Sequence, residues 1–283
     1  MTLEEFQKQV LGTGSYETPA PRRFVYPPWL ATPAFKIRMS SIFLRSYFEA
    51  FSPDYYNRYW ALLGFRVMRA TEGLGGRVSI EGFENLHDCP DPVVFVSNHV
   101  SSLETYLFEP ILLGRGGIAY VLKESLNHYP IFGRTVRATR PISVSRKNPL
   151  EDLKAVLRQG TEALRDGRSV VIFPQGTRHR QFDPAEFRTL GTKLAQHAKV
   201  RVVPLCVATD FIRIGLKNRD LGAVCHPEST IRIACGSPIP YDLPAAELQA
   251  RQIGFIESTL RRWEALDKRP LLLQAPASDG SQA

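Results

Sequence analysis

The chain has 283 residues, 43% hydrophobic and 23% charged, with a formal net charge of +8 and a pI near 9.4. That composition fits a globular protein with a well-buried core and excludes a disordered chain. No uncharged run reaches the ~18 residues of a membrane-spanning helix, and the positive charge favours anionic partners: lipid headgroups, nucleotide-containing cofactors, acidic carrier proteins or nucleic acid.

Residues 1–23 are polar with scattered turn formers, and the expectation is loose order. The acidic start, Met1-Thr2-Leu3-Glu4-Glu5, lacks the apolar core of a signal peptide. Residues 24–65 hold 13 of the 29 aromatic residues, a concentration that sets this segment apart. After Pro33 it can be helical, with Phe43, Tyr47, Phe48 and Phe51 at helical spacing and Lys36, Arg38, Arg45 and Arg58 interleaved. Pro53 interrupts, and a second helix is expected over 55–67. Two readings stand: an amphipathic hairpin lying in a membrane interface, or a helical layer packed on the core with its aromatics buried. One helix face could serve both.

From about Gly73 strands and helices alternate. Strands are expected at 78–82, 93–97, 118–122, 141–145, 169–173, 202–208 and 230–235. Helices are expected at 103–113, ended by Gly114, near 130–136, at 150–165, at 184–197 and at 245–266. The helix at 150–165 is the clearest, with Leu153, Val156, Leu157 and Leu164 on one face and Gly167 past its end. This alternation predicts an α/β fold: a mixed, largely parallel sheet flanked by helices, with an N-terminal amphipathic helical hairpin. The organisation read from it is a membrane-proximal helical segment (1–72), an α/β domain (73–268) and a disordered tail (269–283). Cys89, Cys206, Cys225 and Cys235 are widely spaced without a C-x-x-C pair, so they read as buried inert thiols in a reducing compartment.

The first chemical motif is Asn98-His99-Val100-Ser101-Ser102-Leu103-Glu104, where an apolar strand gives way to a helix. On a continuous helix residues five apart differ by about 140°, so His99 and Glu104 cannot share a face if both are helical. The expected arrangement ends the strand near Ser97, turns over 98–101 and caps the helix with Ser101 or Ser102. Glu104, in the first turn, then folds back onto the imidazole. A carboxylate on one ring nitrogen fixes the tautomer and leaves the other as a proton acceptor. Such a base assists an alcohol nucleophile by roughly 10²- to 10⁴-fold. His87, His128, His197 and His226 have no comparable setting; His179 adjoins Arg178 and is placed to line the same cleft. With no H-x-x-x-H or C-x-x-C spacing, no metal site is expected.

The second motif is Phe173-Pro174-Gln175-Gly176-Thr177-Arg178, again after a buried strand. Pro174 and Gly176 bend the chain and present Thr177 and Arg178 at the sheet edge, where open α/β proteins bind ligands. Arginine's planar fork suits a phosphate. Together the motifs suggest activation of a hydroxyl on a phosphate-bearing substrate. Residues 125–150 add Arg134, Arg137, Arg140, Arg146 and Lys147 with no acidic residue, a natural seat for a phosphate.

In this order the motifs resemble those of the glycerolipid (1-acylglycerol-3-phosphate, or lysophospholipid) acyltransferase superfamily, which carries N-H-x-x-x-x-D and, downstream, F-P-E-G-T-R. Lys123-Glu124-Ser125-Leu126 leading to Pro130-Ile131-Phe132-Gly133 is similar to the family's K-x-x-L…P-x-x-G block. Residues 140–146 resemble its strand ending in an arginine, and Val203-Pro204-Leu205 its late strand. The resemblance covers about residues 78–240. It implies that His99 is the base and Glu104 orients it, with Gln175, Gly176, Thr177, Arg178, Arg146 and Lys123 on the substrate. It also implies a lyso-lipid acceptor, a thioester donor (acyl-CoA or acyl carrier protein), no resident cofactor or metal, and work at the cytoplasmic face of an anionic membrane as a peripheral protein. Oxyanion donors are expected from backbone N–H groups near the helix start and the Gly176 turn. Two positions depart from the family: Glu104 stands for the usual Asp and Gln175 for the usual Glu, which leaves lysophosphatidate, a lysophospholipid or another lyso-lipid open as acceptor. A catalytically altered lipid-binding homologue is the alternative. A hydrolase is disfavoured because no G-x-S-x-G elbow occurs. Nucleic acid is disfavoured because the aromatics cluster outside the basic stretch.

Overall fold

A computed structural model of the chain describes residues 1–19, 26–179, 181–215 and 219–267. In chain order its elements are α1 (Leu3–Thr13), β1 (Tyr16–Glu17), α2 (Pro28–Glu49), α3 (Trp60–Gly73), β2 (Arg77–Glu81), β3 (Val94–Ser97), α4 (Leu103–Arg115), β4 (Gly117–Lys123), α5 (Phe132–Ala138), β5 (Ile142–Val144), α6 (Pro149–Arg165), β6 (Arg168–Ile172), α7 (Leu190–Ala198), β7 (Val202–Ala208), β8 (Ile212–Gly215), β9 (Arg219–Cys225), β10 (Thr230–Cys235) and α8 (Ala245–Asp267).

Every residue of β3 and β7 is buried; runs with no polar face need cover on both sides, which places them at the centre of a sheet. The sheet has eight strands in the order β1-β2-β10-β7-β3-β6-β4-β5. Strands β7, β3, β6, β4 and β5 are parallel throughout, as are β2 and β10, while β1/β2 and β10/β7 are antiparallel. Helices flank it in two groups, α1, α3 and α4 in one and α6, α7 and α8 in the other. The mixed, largely parallel α/β architecture is therefore the one expected. Helix α6 owes its sharp start to Asn148, whose side chain accepts from the N–H of Leu150 and Glu151, and to Pro149 in the first helical position.

Helices α3 and α4 cross closely. Pro110 has no N–H to give the Tyr106 carbonyl, and Gly64 of α3 lies over that carbonyl; a Cβ there would fall on it and 2.6 Å from Pro110 Cδ. Glu109, on the same stretch, is buried with its Oε2 unpartnered. Burial pushes its carboxyl well above the usual range, against the hydrogen bonds of Trp60 and the Gly64 backbone.

The N-terminus differs from expectation. Residues 3–13 form a helix with a Thr2/Glu5 capping box, and Phe6 and Val10, one turn apart, are fully buried. Phe6 meets Tyr16 at 5.1 Å and Phe65 at 5.7 Å, so two apolar residues on a polar helix suffice to dock it. Helix α2 starts at Pro28, upstream of Pro33. The stretch expected as one helix at 184–197 divides into a turn at Pro184–Glu186 capped by Asp183 and α7. The β8/β9 hairpin has no counterpart among the expected strands, and α4 runs past Gly114 to Arg115. All four cysteines are buried and free. Among the described residues no helix is long and apolar enough to cross a membrane. The tail from 268 onward lies outside the described residues.

Candidate active site

The five parallel strands point the same way, so their C-terminal ends share one edge of the sheet. Along that edge, in strand order, stand Thr209 after β7, His99 after β3, Gln175 to Arg178 after β6, Lys123 ending β4 and Arg146 after β5. At the usual spacing of ~4.8 Å per strand, the ends of β4 and β5 lie about 10 and 14 Å from that of β3.

Asn98 carries β3 one step beyond its last backbone partner. Its side-chain amide imitates a peptide, donating from Nδ2 to the Val207 carbonyl (2.8 Å) and accepting the Val207 N–H on Oδ1 (2.9 Å). The chain then turns, and α4 starts after Ser102. Glu104 folds back over the helix start and is fully buried. Its Oε1 lies 2.9 Å from His99 Nδ1 and accepts from the N–H of Val100 (2.7 Å) and Ser101 (2.8 Å). Its Oε2 accepts from the hydroxyls of Ser101 (2.8 Å) and Thr209 (3.0 Å). One carboxylate thus serves N–H groups that a helix start leaves open and faces the imidazole. Burial alone would push the Glu104 carboxyl up; the hydrogen bond and charge of His99, the backbone donors and the Ser101 hydroxyl outweigh it and hold the group below the usual carboxylate range.

A carboxylate only accepts, so Nδ1 of the neutral ring carries the proton and Nε2 is the free base. The His99 side chain is 17% exposed, enough to be reached from solvent. Phe173 stacks on the ring at 4.1 Å and 21°, with Tyr120 and Phe108 parallel to Phe173 on β4 and α4.

The second motif is fastened to the first. Phe173 to Gly176 form a turn closed by the Gly176 N–H on the Phe173 carbonyl (2.9 Å), and Gly176 adopts φ +71, which a glycine takes without strain. Gln175 Oε1 accepts the His99 N–H (3.2 Å), and the His179 N–H donates to the His99 carbonyl (2.8 Å). Gln175 is 5% exposed and its Nε2 has no hydrogen-bond partner, a buried donor beside the base. Thr177 Oγ1 lies 2.6 Å from His179 Nε2, and half-buried Arg178 stands between them in sequence. Arg146 sits at φ +60 in a turn held by Asp152, whose carboxylate accepts from the N–H of Ser145 and Arg146 (both 2.8 Å) and the Ser145 hydroxyl (3.0 Å). Such strain in a non-glycine residue gathers at functional sites.

His99 and Glu104 therefore meet as the spacing required, Gln175 and Gly176 join them, and Lys123 and Arg146 share their sheet edge. Several of the N–H groups expected to serve an oxyanion are already engaged. The N–H groups of Val100 and Ser101 go to Glu104, that of Leu103 to Ser101 Oγ, that of His99 to Gln175 and that of Gly176 to Phe173. Thr209, Asp152 and the strand-extending role of Asn98 escaped sequence reasoning; each acts on a partner whose proximity only the fold creates.

Fold and site define an α/β domain with an imidazole–carboxylate pair and basic side chains along one edge of its sheet. Residues 77–208 match the family described as Acyltransferase. A 1-acyl-sn-glycerol-3-phosphate acyltransferase of Pseudomonas aeruginosa is 33% identical over 150 residues, covering 52% of this chain and 54% of that protein. The chloroplastic 1-acyl-sn-glycerol-3-phosphate acyltransferase LPAT1 of Arabidopsis thaliana is 31% identical over 129 residues, covering 46% of this chain and 35% of that protein. The chain thus spans between a third and about half of the length of these curated relatives. In three dimensions it resembles the crystal structure of the 1-acyl-sn-glycerophosphate (LPA) acyltransferase PlsC from Thermotoga maritima, with a TM-score of 0.65 and 20% identity over 84% of this chain and 96% of that one; this likeness establishes the fold.

Proposed function

We propose that the protein transfers a fatty acyl group from a thioester donor, acyl-CoA or acyl carrier protein, to the free hydroxyl of a lyso-glycerolipid at a membrane surface. The single observation carrying this reading is the 2.9 Å contact between His99 Nδ1 and a buried, ionised Glu104 with Nε2 left open. The names of the relatives in sequence and fold support the same chemistry.

In the proposed reaction His99 Nε2 takes the proton of the acceptor hydroxyl as its oxygen attacks the thioester carbonyl. Glu104 stabilises the imidazolium that forms. The tetrahedral oxyanion collapses, the carbon–sulfur bond breaks, and the leaving thiolate receives the proton from His99, giving an ester and a free thiol. Arg178 and the Gln175–Thr177 turn bind the acceptor, a lysophosphatidate or lysophospholipid. The Gln175 amide offers an N–H that the family's carboxylate lacks. Lys123, Arg146 and the basic stretch around them take the donor's phosphates or an acidic carrier. No resident cofactor takes part.

Helix α2 supports the membrane placement. Trp29, Pro33, Ile37, Leu44 and Phe48 are exposed and fall within about 100° of arc at 100° per residue. Lys36 and Arg45 border the stripe, while Phe35 and Phe43 on other faces pack on Phe211 and Tyr106. An apolar stripe with cationic margins lies in an interface and is drawn to anionic lipid. We place the protein peripherally, on the cytoplasmic face.

The test incubates wild type and His99→Ala with a labelled acyl thioester and a panel of lyso-lipids, following thiol release and product mobility. The expected result is acceptor-dependent thiol release by wild type and its loss, by at least a hundredfold, in a folded His99→Ala. Lipid binding without thiol release by wild type, or near-normal turnover by the variant, refutes the proposal.

A further inference from the structure

Beside the base stands a residue outside all the motifs. Thr209, just past the end of β7, is fully buried, and its hydroxyl meets two atoms: Glu104 Oε2 at 3.0 Å and Ser101 Oγ at 2.9 Å. Ser101, also fully buried, donates from Oγ to Glu104 Oε2 and receives the Leu103 N–H (3.0 Å). Whichever oxygen takes the Thr209 proton, directly or through Ser101 it serves the carboxylate. A hydroxyl buried among apolar strands costs stability unless bonded, and this one spends its bonding on a single anion.

The geometry assigns Thr209 as a positioning residue for His99, acting through Glu104. Side-chain length creates the need for it. Glutamate is one methylene longer than the family's aspartate, and a longer arm has more rotamers in which its carboxylate misses the imidazole. Anchoring Oε2 to the hydroxyls of Ser101 and Thr209 removes that freedom and turns Oε1 toward Nδ1. Because Thr209 directly follows β7 and Glu104 belongs to α4, the bond also ties the helix start to the end of the strand that Asn98 grips from β3. The other ionisable groups on the surrounding elements include Tyr106 and Glu109 on α4, Tyr120 and Lys123 on β4, Cys206 on β7, Arg178 and His179 after β6, and Asp210 beside Thr209, which pairs with Arg213 at 3.9 Å. Replacing Thr209 leaves each of them in place.

The test reads the His99 ring directly and uses the acyl-transfer reading of the site only for rates. Thr209→Val keeps the shape and removes the donor; Thr209→Ser keeps the donor; Thr209→Ala, compared with Thr209→Ser, isolates the hydroxyl should valine fail to fold. Histidine NMR titrations, assigned with His99→Ala, follow the midpoint of the ring, and thermal unfolding checks each fold. In Thr209→Val, or in Thr209→Ala relative to Thr209→Ser, the His99 midpoint should fall by about half to one pH unit, because a carboxylate no longer anchored turns away from Nδ1. The acid limb of thiol release should move with it, with kcat down three- to tenfold and KM within twofold. Thr209→Ser should titrate as wild type. A folded donorless variant whose His99 midpoint stays within 0.2 units, with or without a loss of rate, overturns the assignment, because a merely structural threonine moves rate and stability without moving the ring. Should wild type release no thiol with any lyso-lipid, the acyl-transfer reading fails while the titration still decides the role of Thr209.

Discussion

Replacing Glu104 by Gln removes one charge and few atoms, so it separates the electrostatic role of the side chain from its structural one. The amide oxygen can stand where Oε1 stands and keep the bonds from His99 Nδ1, Val100 N and Ser101 N. The NH₂ group then faces Ser101 Oγ and Thr209 Oγ1, hydroxyls that can rotate to accept. The fold should survive with charge-assisted bonds turned neutral, a loss of roughly 1–2 kcal/mol, or a few degrees in the unfolding midpoint. Catalysis loses more. An imidazolium formed about 4 Å from a unit negative charge gains about 4 kcal/mol at an effective dielectric near 20. At about 1.4 kcal/mol per tenfold that is close to a thousandfold in kcat, with KM changed little because the charge appears only as the proton moves. The assay is thiol release from an acyl thioester with a saturating lyso-lipid, with thermal unfolding measured alongside. The variant should also lose part of the pH dependence of stability. The folded state holds the Glu104 carboxyl below its ordinary value, so its contribution is present above about pH 4.3 and lost as the pH falls through the lowered folded value; Glu104→Gln should flatten that acid limb. A folded Glu104→Gln turning over within threefold of wild type would refute the electrostatic role.

Three further outcomes are expected. Gly64→Ala puts a methyl onto the Tyr106 carbonyl and against Pro110, so α3 and α4 must separate, costing about 1–3 kcal/mol in urea titrations; an unchanged midpoint would mean the crossing is looser than described. Glu109 behaves oppositely to Glu104: burial raises its carboxyl, so its contribution is complete below about pH 4.3 and lost as the pH climbs through the raised folded value. Glu109→Gln should therefore gain on wild type as the pH rises, and equal slopes in the two unfolding series would contradict this. Serine at Trp29, Ile37 and Phe48, which are 77%, 70% and 63% exposed, should lower sedimentation with anionic vesicles at least tenfold without altering the unfolding midpoint; undiminished binding would place the membrane contact elsewhere.

Features are legible in the residues alone to the extent that their signals are local. Apolar runs such as 93–97 and 202–208 announce buried strands because burial needs no partner to be named. The five-residue spacing of His99 and Glu104 excludes one shared helical face and forces the turn that the structure contains. The helical spacing of Phe43, Tyr47, Phe48 and Phe51 does not mark the exposed stripe of α2: Phe43 packs inward, Phe51 lies past the end of the helix, and of the four Phe48 alone stands on the stripe. Helix α1 is hidden because only two of its residues, Phe6 and Val10, are fully buried, too few for a periodic signal. Thr209 cannot be found that way, since its value depends on β7 pairing beside β3, a contact between residues more than a hundred positions apart. The oxyanion expectation narrows for a related reason: a helix start advertises open N–H groups, and only coordinates show that Glu104 and Ser101 have already claimed those of Val100, Ser101 and Leu103.

The amide mimicry of Asn98 bears on how this architecture tolerates change. A side chain posing as a peptide lets β3 hold its neighbour for one rung more while its own main chain is already departing toward the loop. The reactive ring therefore hangs from the last rung of a ladder, inheriting the stiffness of the core although it belongs to a bend. Substitutions in the loop beyond should accordingly retune what the protein accepts, whereas trimming that single carboxamide would slacken the base itself.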